Sequence, residues 1–326
     1  MTSPAAPRIV VTRGLPAATL RPLRDLGEVW ISPHDRPLTS PELHEAVRGA
    51  SAIVTMLTDR IDGDVLDAAG PSLRIVANTA VGYDNLDLTA FAHRGVLATN
   101  TPGVLIDATA DLTMALLLTV TRRVAEGDRL IRSGTAWSWD ISFMLGAGLQ
   151  GKRIGIVGMG RIGRAVATRA AAFGMEVAYL ARRPHTDPPD GAPLTLPELL
   201  ATSDIVSLHC PLTAETHHLI DADALAAMKP GSFLVNTARG PIVDETALAR
   251  ALADGTIAGA ALDVYEHEPE VHPDLRELDN VVLAPHLGSA TVETRTRMAE
   301  LAVENVRAVL TGAGPVTPID LPVGSG

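Results

Sequence analysis

Short apolar runs with a β-branched bias recur along the chain, separated by segments whose apolar residues return every three or four positions. Arg8–Thr12 (RIVVT), Val29–Ile31, Ala52–Leu57 (AIVTML) and Leu73–Ala77 (LRIVA) are too short for helices and fit buried parallel strands. Between them, Pro16–Leu26, Pro41–Val47 and Asp64–Ala69 read as helices, with Ser40 placed to cap the second and Gly70–Pro71 to stop the third. Asn78–Asp84 follows the fourth strand as a loop, and Thr101–Pro102–Gly103 breaks the pattern. Ala108–Arg123 then resumes as a strongly apolar helix, with Leu112, Ala115, Leu116, Thr119 and Val120 in step. It is expected to bridge two lobes; a place wholly inside one lobe is the alternative. Ser133–Gly148 shows no period and reads as an irregular arm.

The second half repeats the alternation. Strands are expected at Ile154–Val157, Glu176–Leu180, Asp204–His209, Phe233–Asn236, Gly259–Val264 and Val281–Ala284. Helices are expected at Arg161–Phe173, Leu196–Leu200, Asp223–Met228, Glu245–Ala253 and about Thr291–Leu310, with Pro184–Pro193 as a loop. Strands alternating with helices at this spacing give an α/β protein with parallel sheets.

One junction carries chemistry. Gly158, Gly160 and Gly163 stand at G-x-G-x-x-G spacing between a strand and a helix, in the order a dinucleotide-binding unit needs. In such a unit Gly158 permits the tight turn, Gly160 lets the backbone approach a pyrophosphate, and Gly163 lets helix and strand pack closely. The helix start, at Arg161 and Ile162, then offers N–H groups and a partial positive charge to the phosphates.

Composition narrows the field. The 326 residues suffice for two domains, and 46% hydrophobic against 20% charged residues is an ordinary globular mix. A formal charge of −11 argues against a nucleic-acid surface. No apolar run reaches membrane length, and no charged-then-apolar leader opens the chain. Cys210 is the only cysteine, so no intrachain disulfide can form. The expectation is a soluble, cytoplasmic protein.

In an open parallel sheet, functional groups gather at the carboxyl ends of strands. Arg239, Glu268 and His286 each fall just after one. An arginine holds a carboxylate bidentately, and a histidine exchanges a proton near neutral pH. A carboxylate on the far nitrogen of that histidine favours the imidazolium. Together they suit reduction of a 2-oxo acid beside a nicotinamide ring. Taken singly, Arg239 is equally a surface ion-pair partner, Glu268 a solvated loop residue and His286 a packed loop histidine.

The chain resembles the D-isomer-specific 2-hydroxyacid dehydrogenase family, and within it glyoxylate/hydroxypyruvate reductases. The likeness runs through ANTAVGYDNLD (Ala77–Asp87), NTPGVLIDATADLTMALLL (Asn100–Leu118), GIVGMGRIG, VNTARGPIVDE (Val235–Glu245), ALDVYEHEP (Ala261–Pro269) and APHLGSATVETR (Ala284–Arg295). It implies two Rossmann-like doubly wound domains, one of them a flavodoxin-like substrate domain. That domain comprises residues 1–101 and 288–326, with the dinucleotide-binding domain at 102–287 and the active cleft at the hinge. It implies Arg239, Glu268 and His286 as the catalytic arginine, glutamate and histidine, and substrate contacts from Leu57, Val81, Gly82 and Arg239. Cofactor contacts are implied for the glycine turn with Arg161 and Ile162, for Cys210 and Pro211, and for Thr237, Ala238, Arg239, Asp263 and His286. Leu57 is equally a core residue, and Asp263 equally a strand-end acid bonded to neighbouring backbone.

The position after the second strand of the dinucleotide unit, where an acid binds ribose hydroxyls in NAD enzymes, is Ala181, followed by Arg182 and Arg183. Two guanidinium groups in place of that acid suit a 2′-phosphate, so NADP(H) is expected over NAD(H) unless both arginines merely solvate a loop. Trp137 and Trp139 read as hydrophobic anchors of the arm. The resemblance adds a homodimer in which Trp139 reaches the neighbour's substrate pocket. His217 and His218, being adjacent, are expected to point apart; His34, His44, His93 and His185 lie in polar segments, and His209 and Cys210 are expected to pack. No metal site is expected. The absence of a G-x-S-x-G elbow argues against a serine hydrolase. Other 2-hydroxyacid dehydrogenases, including a 3-phosphoglycerate type, and a non-catalytic nicotinamide-sensing binding protein remain as alternatives.

Overall fold

The computed structural model describes residues 6–180 and 191–322. The chain divides into two compact units, one running to Leu105 and resuming at Thr291, the other spanning Ile106–Ala290.

The first unit holds five parallel strands: β1 (Arg8–Val11), β2 (Glu28–Ile31), β3 (Ala52–Thr55), β4 (Ile75–Asn78) and β5 (Leu97–Thr99), in the order β2-β1-β3-β4-β5. This is the flavodoxin-like doubly wound order. Side chains alternate between the two faces, as the strand period of two requires. Ile9, Val11, Val54, Ile75 and Ala77 pack against the helix Val292–Leu310 through Ala302, Val303, Val306 and Val309. Val10, Ile53, Val76 and Ala98 face the helices Ser40–Val47, Gly63–Ala69 and Leu88–Arg94 through Leu43, Val65 and Phe91.

Among the described residues the second unit carries seven parallel strands: β6 (Arg153–Val157), β7 (Glu176–Leu180), β8 (Ala192–Pro193), β9 (Ile205–Leu208), β10 (Phe233–Asn236), β11 (Gly259–Leu262) and β12 (Val281–Leu283). Their order, β12-β11-β10-β9-β6-β7-β8, reverses beside β6. That reversal is the topological switch point at which such sheets bind ligands. Ile154, Ile156, Ile205, Val235 and Ala261 bury one face under the helices Ile106–Thr121 and Arg161–Ala172. Val206, Leu208, Leu234, Ala260 and Leu262 bury the other under Leu196–Thr202, Ala222–Ala227 and Glu245–Ala253.

Several local expectations change. The helix expected at Ala108–Arg123 runs Ile106–Thr121 and belongs wholly to the second unit, because Ala110, Met114, Leu117 and Val120 pack on Ile154, Ile156 and Val235. Arg123 takes a left-handed φ of 53° and starts a separate helix, Val124–Arg132, in which no residue is buried. Thr39, not Ser40, caps the helix Ser40–Val47: Glu42 three residues on accepts the Thr39 N–H at 2.8 Å, completing a capping box. Pro16–Leu26 is a 3-10 turn, Ala17–Leu20, followed by one α-turn, Arg21–Arg24. The strand expected to reach Leu57 stops at Thr55, because Asp59 Oδ2 turns the chain by accepting from Thr55 Oγ1 and Met56 N, both at 2.9 Å.

Candidate active site

All strands of the second sheet run parallel, so the segments after β6, β9, β10, β11 and β12 leave from one edge. After β6, Gly158 has φ 101° and donates its N–H to Leu180 O at 2.9 Å. A Cβ there would lie 2.6 Å from the backbone N of Cys210, so the turn rests directly on the end of β9. A Cβ on Gly163 would lie 2.2 Å from Gly158 O, which is the close packing of helix on strand that the spacing implies. At Gly160, by contrast, a Cβ would meet no atom within 4 Å among the described residues beyond its chain neighbours. Gly160 therefore keeps space clear in front of the helix Arg161–Ala172, whose start no side chain caps. A dinucleotide pyrophosphate fits that place: backbone N–H groups and the positive end of a helix dipole meet there.

Beyond β9, His209 Nε2 lies 2.8 Å from Ser207 Oγ, and burial pushes the imidazole down to about 4. Burial likewise pushes the Cys210 thiol up to about 11. Both behave as packed neutral groups at physiological pH.

Arg239 is positioned through its own backbone. Buried Asn236 at the end of β10 donates from Nδ2 to Arg239 O at 2.9 Å and accepts the Ala238 N–H at 3.0 Å. Thr237 Oγ1 meets Thr113 Oγ1 on the helix Ile106–Thr121 at 2.9 Å. A Cβ on Gly240 would fall 1.8 Å from Tyr265 C, so the peptide after Arg239 lies flat on the chain that leads to Glu268. A reciprocal clasp holds the same contact: Glu266 N donates to Glu245 Oε1 at 2.8 Å and Glu245 N to Glu266 Oε2 at 3.1 Å.

Glu268 and His286 come together. His286 Nδ1 lies 2.8 Å from Glu268 Oε2, and Glu268 Oε1 accepts the Tyr265 N–H at 3.1 Å. Both side chains are partly exposed, at 27% and 30%. His286 has a left-handed φ of 54°. Asp263 fixes that turn, accepting from Leu287 N at 2.6 Å and Gly288 N at 2.8 Å. Thr109 Oγ1 closes it by donating to Gly288 O at 3.0 Å. Burial pushes the Asp263 carboxyl up, against the opposing effect of the two N–H groups.

In the first unit, Leu57 is half-buried in the turn after β3. Val81 and Gly82 are half-buried in the loop after β4, and among the described residues no acceptor meets their N–H groups. Trp139 is 75% exposed, whereas Trp137 stacks on Phe143 with ring centroids 5.8 Å apart. His217 and His218 do not point apart: their ring centroids are 4.2 Å apart, because His218 takes φ 50° and its Nε2 reaches Glu266 Oε1 at 2.6 Å. Among the described residues no group of three or more His, Cys, Asp or Glu is placed to hold a metal ion. No helix there is long and apolar enough to cross a membrane. Ala181, Arg182, Arg183 and His185 lie outside the described residues.

Sequence reasoning missed Asn236 and the Glu245–Glu266 clasp among the residues that hold this machinery, whereas Asp263 bonds to neighbouring backbone, one of the two readings the sequence offered for it. Each bonds to backbone in a loop, where no periodicity marks it.

A glycine turn at a topological switch point, sharing one sheet edge with an imidazole–carboxylate pair, defines a nicotinamide-dinucleotide-dependent oxidoreductase. Comparison with known proteins narrows the class. The family model for the D-isomer specific 2-hydroxyacid dehydrogenase, NAD binding domain, matches residues 114–288. A glyoxylate reductase of Thermococcus onnurineus is 47% identical over 322 residues, covering 96% of each chain. The structure of a glyoxylate reductase from Paecilomyes thermophila superposes with a TM-score of 0.88 at 33% identity, over 97% of this chain and 99% of that one. An NADPH-dependent glyoxylate/hydroxypyruvate reductase from Sinorhizobium meliloti, solved with NADP and malonate, gives 0.84 at 36% identity and 97% coverage of both chains. The chain belongs to the D-isomer specific 2-hydroxyacid dehydrogenase family.

Proposed function

We propose that the protein reduces a small 2-oxo acid of the glyoxylate or hydroxypyruvate type to the D-2-hydroxy acid, with NADPH preferred over NADH. The observation that carries the reading is the His286–Glu268 pair. With Nδ1 engaged by a carboxylate, the ring has one tautomer and orientation, and Nε2 remains to give a proton to the oxygen of the reacting carbonyl. Glu268 stabilises the positive ring before transfer. Arg239, whose backbone is fixed by Asn236, holds the substrate carboxylate and polarises the carbonyl. Val81 and Gly82 offer backbone N–H groups to the same carboxylate, and Leu57 borders the substrate. The bound nicotinamide supplies the hydride. The pyrophosphate is assigned to Gly158–Gly163, with Cys210, Pro211, Thr237, Ala238 and Asp263 around the remainder of the cofactor.

NADPH preference rests on the missing acid at Ala181 and the two arginines that follow it. The Sinorhizobium meliloti relative, named as NADPH-dependent, supports it. A homodimer is part of the proposal, because Trp139, Ile141 and Leu145 stand 75%, 84% and 66% exposed on one arm, an apolar display that water disfavours. The test is a steady-state panel of glyoxylate, hydroxypyruvate and pyruvate with each cofactor. Higher kcat/KM with NADPH and a D-configured product are expected. An NADH preference overturns the cofactor assignment, and no turnover on any of the three overturns the function.

A further inference from the structure

We infer that Asn78, Asn85 and Asn100 are positioning residues for the substrate: Asn100 on Val81 O, and Asn78 on Gly82 O with Asn85 behind it, pin the turn at Ala80–Gly82, so that the N–H groups of Val81 and Gly82 are presented together to a carboxylate. The inference rests on the assignment of those two N–H groups to substrate.

In a trans peptide the N–H points opposite to the C=O of the preceding residue, so fixing one fixes the other. Three successive carbonyls are fixed here. Ala80 O accepts from Thr101 N at 2.9 Å, which sets the Val81 N–H. Val81 O accepts from Asn100 Nδ2 at 2.7 Å, which sets the Gly82 N–H. Gly82 O accepts from Asn78 Nδ2 at 2.9 Å, which fixes the following peptide and so closes the turn on its far side. With all three carbonyls drawn to the protein side, the peptides are held against flipping, and two adjacent donors remain that meet no acceptor among the described residues. Adjacent free N–H groups of this kind form an anion-binding concavity.

None of the three asparagines acts alone. Asn78 is fully buried and pairs with Asn85 amide to amide, at 3.2 and 3.3 Å. Asn85 also donates to Met56 O at 3.2 Å and Asp59 O at 2.9 Å, so the same side chain secures the turn that carries Leu57. Buried Asp59 completes that anchor by accepting from Thr12 Oγ1 at 2.5 Å. From the other side, Asn100 O accepts from Thr317 Oγ1 at 2.7 Å, and Thr317 Oγ1 accepts from buried Asn305 Nδ2 at 2.8 Å. Two side-chain relays, one from β3 and one from the helix Val292–Leu310, thus end on neighbouring carbonyls of the same turn.

The test compares Asn100→Ala, which frees the Val81–Gly82 peptide, with Asn85→Ala, which breaks the outer link of the other relay. The readouts are KM for glyoxylate, the inhibition constant of oxamate as a non-reducible 2-oxo acid mimic, and the dissociation constant of NADPH by nicotinamide fluorescence. The expected result for Asn100→Ala is a rise of about tenfold in both substrate-side constants, the scale of one hydrogen bond to a charged group. Asn85→Ala should shift both the same way by a smaller factor, and NADPH binding should not change in either. A merely structural lesion would instead weaken NADPH and oxamate alike. A folded variant of either kind with wild-type KM and wild-type oxamate inhibition overturns the inference while leaving the proposed function standing. A wild-type protein that neither reduces glyoxylate nor binds oxamate overturns both.

Discussion

His286 and Glu268 form a hydrogen-bonded pair, Nδ1 to Oε2 at 2.8 Å, although 18 residues separate them in the chain. The pairing is built into backbone on both sides. Asp263 accepts the two N–H groups after His286 and holds it in a left-handed turn that a non-glycine residue rarely adopts unaided. Tyr265 N–H occupies the other oxygen of Glu268, so its carboxylate cannot rotate away. The pair is therefore set before any substrate arrives, which spares the reaction the cost of arranging it.

His286→Ala should lower kcat for 2-oxo acid reduction by about 10²–10⁴, the usual worth of a positioned general acid. Because the ring is 27% exposed and no core cluster includes it, the melting temperature should stay within a few degrees of wild type. Glu268→Gln should reduce kcat in the same direction by a smaller factor, since an amide keeps a hydrogen bond but not the charge. Steady-state kinetics with circular dichroism checks both; wild-type turnover in His286→Ala removes the residue from the mechanism.

Ten of the twelve strands among the described residues and the glycine turn were legible because each rests on a period or a spacing; β8 fell within the segment read as a loop. Ile154, Ile156 and Ile205 had to share one face and Val206 and Leu208 the other, and they do. The helix Leu88–Arg94 and strand β5 passed unread because each is short; Gly95, left-handed at φ 62°, closes the helix only two residues before the strand. The helix Val124–Arg132 escaped for the opposite reason: no core face marks it. At the candidate site, Arg239, Glu268 and His286 were singled out by their positions just past strands, and the structure pairs the last two. The asparagines that orient the Val81–Gly82 turn could not be, because a side chain bonded to a distant carbonyl leaves no mark on the local pattern.

Cys210 should be a poor nucleophile in the folded protein. Burial pushes its thiol up to about 11, so little thiolate exists at pH 8. Iodoacetamide labelling followed by mass spectrometry should show slow modification of native protein and rapid modification in denaturant. The sign of the stability effect follows. A thiol raised in the folded state stabilises below its ordinary value and loses that contribution as pH rises through about 11. The melting-temperature advantage of wild type over Cys210→Ala should therefore shrink between pH 9 and pH 11.

Acid should act through His209. Its folded value of about 4 lies below the ordinary 6.5, so the unfolded chain binds the extra proton first. Stability from this group is complete above pH 6.5 and is lost as pH falls from there to about 4. His209→Gln, which cannot titrate, should flatten the fall in melting temperature across that interval. An unchanged slope would mean that the ring is charged without penalty in the fold, which contradicts its burial.

The three glycines of the turn should separate by substitution, because the structure gives each a different neighbour. Gly158→Ala places a Cβ 2.6 Å from backbone at φ 101°, and Gly163→Ala places one 2.2 Å from Gly158 O. Neither contact can be relieved by turning a side chain, so each should destabilise the second unit by about 1–3 kcal/mol or more. The Cβ of Gly160→Ala meets no atom within 4 Å among the described residues beyond its chain neighbours, at an ordinary φ of −75°. Its methyl group occupies only the space in front of the helix start. That variant should melt like wild type yet bind NADPH at least about tenfold more weakly, because the lost ground is the close approach of the pyrophosphate to backbone. Thermal melts alongside fluorescence titration distinguish the two patterns. Wild-type NADPH affinity in Gly160→Ala would move the pyrophosphate away from this turn, and with it the assignment of the cofactor to the switch point beside β6.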